Sequence, residues 1–166
     1  MAFVLEMENL SVGYPGGVQA VRGVSISLRK GTIHALVGES GCGKSVTTKA
    51  LVGLLPATAS VQWDRLGISD RHYVSGDDRL RELRGTHVGM IFQEPAKHLN
   101  PAMTIGRMIT EVLRYHLGMT RQDSVRRACE LLAMVELDAS RVFRSYPHEL
   151  SGGMKQRALI AMAVSC

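Results

Sequence analysis

Apolar and polar positions change their spacing twice along the chain. Val4, Glu6 and Glu8 alternate with Leu5, Met7 and Asn9, and a period of two predicts a strand. TyrProGlyGly at 14–17 predicts a turn. Val24, Ile26 and Leu28 alternate with Ser25, Ser27 and Arg29 as a second, half-buried strand, which a Lys30–Gly31 turn ends. Ile33 to Val37 and Val88 to Phe92 are short and mostly apolar, the pattern of buried strands in a parallel sheet. Ser45 to Leu54 predicts a helix ended by Leu55–Pro56, and residues 57–80 predict nothing regular.

From Pro101 the spacing becomes helical. Ile105, Met108, Ile109, Val112 and Leu113 form one apolar stripe, and Gly118 can close that helix. Thr120 with Asp123 predicts a capped start for the next one, whose inner face would carry Val125, Ala128, Leu132 and Val135. Pro147 breaks the pattern, and a last helix starts near Gly153. The chain thus divides into a β-rich part over 1–95, a helical part over 96–150 and a final helix over 151–166.

Composition narrows the class. With 166 residues and 45% apolar content, the chain suits one soluble domain. Its best apolar run, Ala158 to Val164, falls far short of the ~20 residues that a membrane-spanning helix needs. The N-terminal MAFVLEMENL has neither a basic region nor a cleavage site, so it does not read as a secretory signal. Cys42, Cys129 and Cys166 are odd in number and lack metal or redox spacing, which suggests reduced thiols in the cytosol. Net charge is +5, but no basic cluster is interleaved with aromatics, so no nucleic-acid partner is expected.

Chemistry concentrates at 38–45. Gly38, Glu39, Ser40, Gly41, Cys42, Gly43, Lys44 and Ser45 spell G-x-x-x-x-G-K-S, between an apolar strand and a helix. Gly41 and Gly43 let the backbone turn several N–H groups inward as an anion nest, and the following helix adds the positive end of its dipole. Lys44 is placed to reach the β- and γ-phosphates of ATP, and the Ser45 hydroxyl to ligate Mg²⁺. Val46 continues the helix start. Cys42 reads as a small filler within the loop.

A second anion motif stands at 150–157, LeuSerGlyGlyMetLysGlnArg. Ser151 suits an N-cap, and Gly152 and Gly153 leave their N–H groups accessible. With both motifs at this separation, the chain resembles the ABC-transporter ATPases, whose signature is the LSGG run. The resemblance implies a P-loop NTPase of α/β class, with an antiparallel β front and a helical insert. It implies that Tyr14 stacks on adenine and that Gln93 approaches Mg²⁺ and the attacking water. It also implies that Ser151, Gly152 and Gly153 act in trans, on ATP held by a partner ATPase subunit in a head-to-tail dimer. Membrane permease subunits are the implied further partners, at the cytoplasmic face of the cell membrane. GESGCGKSVTT, LNPAMTIG and YPHELSGGMKQRALIAMA resemble the peptide and nickel importer group, in which two different ATPase subunits usually pair. Ala96-Lys97-His98 and residues 61–78 depart from that group. His148 has no suitably spaced second ligand and reads as surface.

The resemblance also implies a Walker B strand with an Asp and a Glu, then a switch His, and none follows before Cys166. The chain is therefore expected to be partial, to lack the C-terminal part of the parallel core, to be marginally stable, and not to hydrolyse ATP as written. Two other classes remain open: a non-transport ABC ATPase acting on ribosomes or DNA, and a nucleotide-binding fragment without catalysis.

Overall fold

The computed structural model describes residues 3–166. Met1 and Ala2, which open the N-terminal stretch read above, lie outside them. The chain forms two compact units that divide between Leu83 and Arg84.

The first unit is built on an antiparallel sheet with strand order β2-β1-β4-β5. Strands β1 (Phe3–Tyr14) and β2 (Val18–Arg29) form a long hairpin. Tyr14 faces Val18 at its closed end. Leu5 and Met7 are buried, as alternation requires, but the next buried residues are Leu10 and Val12. The change of parity needs one extra residue, and the register supplies it: Met7 faces Ile26 while Leu10 faces Val24. Asn9 sits in this bulge at φ +56°. Its N–H donates to Ser25 Oγ at 3.0 Å and its side-chain amide to Asp64 at 2.9 Å. Without the bulge, the second apolar pair would point to the wrong face.

The short strand β3 (Ser60–Gln62) pairs with β1, and so does β4 (Arg65–Ile68), which pairs in turn with β5 (Arg71–Tyr73). These strands occupy a stretch where the sequence predicts nothing regular. They are too short to establish a period, yet Leu66, Ile68 and Tyr73 are buried. Helix α1 (Lys44–Leu51) packs against β1 and β2. It stops earlier than predicted, because the Gly53 N–H donates to Ala50 O and the Leu54 N–H to Lys49 O. That pair of bonds closes the helix before Pro56 is reached.

Two predicted strands are not formed. Residues 33–40 carry no strand, and Ile33 and Val37 are 100% and 87% exposed. Residues 89–92 also lack strand structure, and only an isolated bridge joins Arg84 to Val88. A buried parallel strand exists only with hydrogen-bonded neighbours on its flanks, and no described residues supply them here.

The second unit is helical: α2 (Pro95–His98), α3 (Ile105–Leu117), α4 (Arg121–Met134), α5 (Ala139–Val142) and α6 (Gly152–Ala163). One apolar core holds Ile105, Ile109 and Leu113 of α3, Leu131 and Leu132 of α4, and Ala158 of α6. Burying each large side chain contributes about 1.5–3 kcal/mol. Thr104 caps α3, and Gly118 ends it at φ +62°. The inner face of α4 differs from expectation: Ser124, Ala128, Leu131 and Leu132 are buried, while Val125 is 38% exposed. Ser124 tolerates burial because its hydroxyl donates to the Arg121 carbonyl at 2.9 Å. Gly106 faces the Phe143 ring so closely that a Cβ there would overlap it.

Candidate functional site

The 38–45 loop leads directly into α1. Gly41 and Gly43 take φ +82° and +95°. Gly43 is the N-cap, and a Cβ on it would lie 2.6 Å from the Ala20 carbonyl oxygen of β2. Its place therefore demands both the left-handed conformation and the missing side chain. The first intrahelical bond runs from the Thr47 N–H to Gly43 O, at 2.8 Å. The Lys44, Ser45 and Val46 amides that precede it have no side-chain cap, and no acidic residue stands in the first turn. Such a helix start presents orphan N–H donors and a positive dipole end to an anion.

Lys44 occupies the loop's centre. Its ammonium donates to the Gly38 and Glu39 carbonyls, both at 2.7 Å, and lies 3.6 Å from Cys42 Sγ. The Cys42 side chain folds back over Gly38, where an added Cβ would lie 2.6 Å from its sulfur. Cys42 is thus a packing element of the loop as well as an exposed thiol. Ser40 and Ser45 are exposed, and Val46 is half-buried. Tyr14 is half-buried at the end of β1, within the same unit.

The second motif opens α6. Ser151 Oγ accepts from the Met154 N–H at 3.3 Å, so the predicted cap is made. Gly152 and Gly153 are exposed, and a Cβ on either would meet nothing within 4 Å. Arg157, two turns into α6, donates to the Glu136 carbonyl at 2.9 Å and the Val135 carbonyl at 3.4 Å. It thereby ties α6 to the C-terminal end of α4, where Glu136 sits at φ +57°. No sequence signal marks this tie, because it depends on a left-handed residue that is not glycine. Gln93 is exposed just before α2, in the same unit as α6. His148 is exposed and stacks on Tyr146, and the described residues contain no metal-ligand cluster.

A sequence profile described as ABC transporter matches residues 21–166. The chain belongs to the ABC transporter family. Among its family relatives, the dipeptide transport ATP-binding protein of Bacillus subtilis is 42% identical over 172 residues, covering 100% of this chain and 51% of the relative. An oligopeptide transport ATP-binding protein of the same organism is also 42% identical over 172 residues, with 52% of its length covered. The chain spans about half the length of the curated relatives it matches. An ATP-binding cassette solved as a dimer in a post-hydrolysis state with ADP and Pi superposes with a TM-score of 0.81 at 26% identity, covering 97% of this chain and 69% of the other. The β front, phosphate loop and helical unit thus have the fold of ABC ATPase cassettes. No helix among the described residues is long and apolar enough to cross a membrane.

Proposed function

We propose that this chain is the ATP-binding part of a subunit that energises an ABC importer of peptides. The observation that carries the reading is the start of α1, three orphan amides behind a left-handed Gly43, with Lys44 at the loop's centre. A compact polyphosphate fits that chemistry, because it can replace the Gly38 and Glu39 carbonyls as partner of the Lys44 ammonium. Lys44 would hold the β- and γ-phosphates. The amides of Lys44, Ser45 and Val46 would fix their orientation, and Tyr14 would stack on the base. Ser45 and Gln93 would hold Mg²⁺, which supplies charge neutralisation on the phosphates.

Ser151, Gly152 and Gly153 are proposed to bind the γ-phosphate of an ATP held by a second, non-identical ATPase subunit. Their open setting supports this, since nothing within 4 Å of either glycine's Cβ position would obstruct an incoming phosphate. Hydrolysis, pairing and attachment to membrane permeases at the cytoplasmic face are proposed for the whole protein. The names of the dipeptide and oligopeptide relatives support peptides over nickel as cargo.

The test is equilibrium binding of a fluorescent ATP analogue with and without Mg²⁺. Lys44→Ala is expected to weaken binding roughly tenfold or more, the worth of a charge-assisted bond. Equal binding by Lys44→Ala would remove the proposal.

A further inference from the structure

Ala96-Lys97-His98 is where the chain departs from the importer group it otherwise resembles, and the structure gives that departure a contact. The imidazole of His98 stacks on the ring of Phe92, with centroids 4.0 Å apart and planes 16° from parallel. The two rings close a short loop in which Gln93 directly follows Phe92. Little else holds Gln93. Residues 89–92 before it form no strand. Gln93 is exposed, and its side chain makes no hydrogen bond among the described residues. Lys97 pairs with Glu94 across the same loop at 2.6 Å, but both side chains are exposed, and such a pair fixes little. The far end of the loop is anchored. Leu99, next to His98, is buried in the helical core, and Pro95 opens α2 with a fixed φ. A ring contact that closes so short and stiff a segment leaves the residue after Phe92 few orientations.

We propose that His98 is a positioning residue for Gln93: its stack on Phe92 sets the direction in which Gln93 presents its side-chain amide to the Mg²⁺ of bound ATP. The inference rests on the reading above that Gln93 helps to hold that ion. His98 itself touches neither nucleotide nor metal, and it acts through the ring of Phe92. Core packing does not account for the contact, because His98 is exposed and Phe92 only half-buried. Metal ligation by His98 does not account for it either, since the described residues contain no cluster of ligands. What the stack supplies is loop geometry. An aromatic pair is worth roughly threefold to tenfold in an equilibrium constant, enough to favour one orientation of Gln93 over the others.

The test reads the gain in affinity for a fluorescent ATP analogue when Mg²⁺ is added, for the chain and its variants. Gln93→Ala is expected to lose part of that gain. His98→Ala is expected to reduce the gain roughly threefold to tenfold, while binding without Mg²⁺ and the thermal melt stay as in the parent chain. His98→Phe, which keeps a ring on Phe92, is expected to hold the gain within about twofold of the parent. Gln93→Ala/His98→Ala is expected to be no worse than Gln93→Ala alone, because His98 acts only through Gln93. Four results would overturn the proposal: a full gain in His98→Ala, an equal loss with and without Mg²⁺, a loss in His98→Phe as large as in His98→Ala, or additive losses in the double variant. A full gain in Gln93→Ala would overturn it together with the Mg²⁺ role of Gln93, and the Lys44→Ala comparison reports on the ATP site separately.

Discussion

Helices α1 and α6 both begin at a glycine-rich motif, yet they handle their orphan amides in opposite ways. At α6 a serine hydroxyl takes one N–H, and the two glycines after it stand in open space. At α1 no side chain takes any, and the N-cap glycine is wedged at φ +95° against the Ala20 carbonyl. At α1 the first residue is itself a cation, and Lys44 rests on the loop's carbonyls, whereas the first cation of α6 is Lys155, at its fourth position. The first motif can hold an anion with charge and backbone from a single chain. The second offers open leading amides with no cation before Lys155, as a surface that completes a site built elsewhere would do. Glycine content alone does not distinguish the two roles; the cap and the lysine do.

The largest predicted contrast comes from adding one methyl group at each start. Gly43→Ala should destabilise the first unit by about 1–3 kcal/mol, from a forbidden φ and a backbone clash, and should abolish ATP binding. Gly152→Ala should leave the fold intact or stabilise it by up to about 1 kcal/mol. Thermal melts with and without Mg-ATP read both, and equal effects at the two sites would break the contrast.

Ser151→Ala comes next. It should cost about 1 kcal/mol through the lost cap, while the chain's own ATP affinity stays unchanged. A matching loss of affinity would mean that the second motif contacts the same chain's nucleotide.

The smallest effect is one of pH. At α4 the cap is titratable: the Thr120 hydroxyl, and then Arg126, hold the Asp123 carboxyl below its usual range. A depressed carboxylate stabilises above its unfolded pKa and loses that contribution as pH falls through its folded value. Amide exchange, corrected for intrinsic rates, should therefore show the first turn of α4 loosening in acid while the first turn of α6 does not.

Much of this contrast is spelled out by the residues. The glycine and lysine spacing at 38–45 marks the loop, Ser151 marks its cap, and the stripe from Ile105 to Leu113 marks α3. What escapes the sequence depends on partners distant along the chain. The bulge at Asn9 needs Ser25 and Asp64. The wedge on Gly43 needs Ala20, and the tie from Arg157 needs a left-handed Glu136. The segments 33–37 and 88–92 fail for the same reason from the other side, since their apolar pattern suits a strand but among the described residues only the isolated Arg84–Val88 bridge pairs with either. Apolar pattern reports what a segment could bury, whereas a ladder depends on what lies beside it.

The most direct test is an NMR titration of the dilute chain with Mg-ATP, following each backbone amide. The account predicts the largest shifts at Gly41 through Val46, abolished in Lys44→Ala, with Gly152 and Gly153 unmoved while the chain stays monomeric. Saturable ATP binding that leaves Lys44, Ser45 and Val46 unshifted would contradict it.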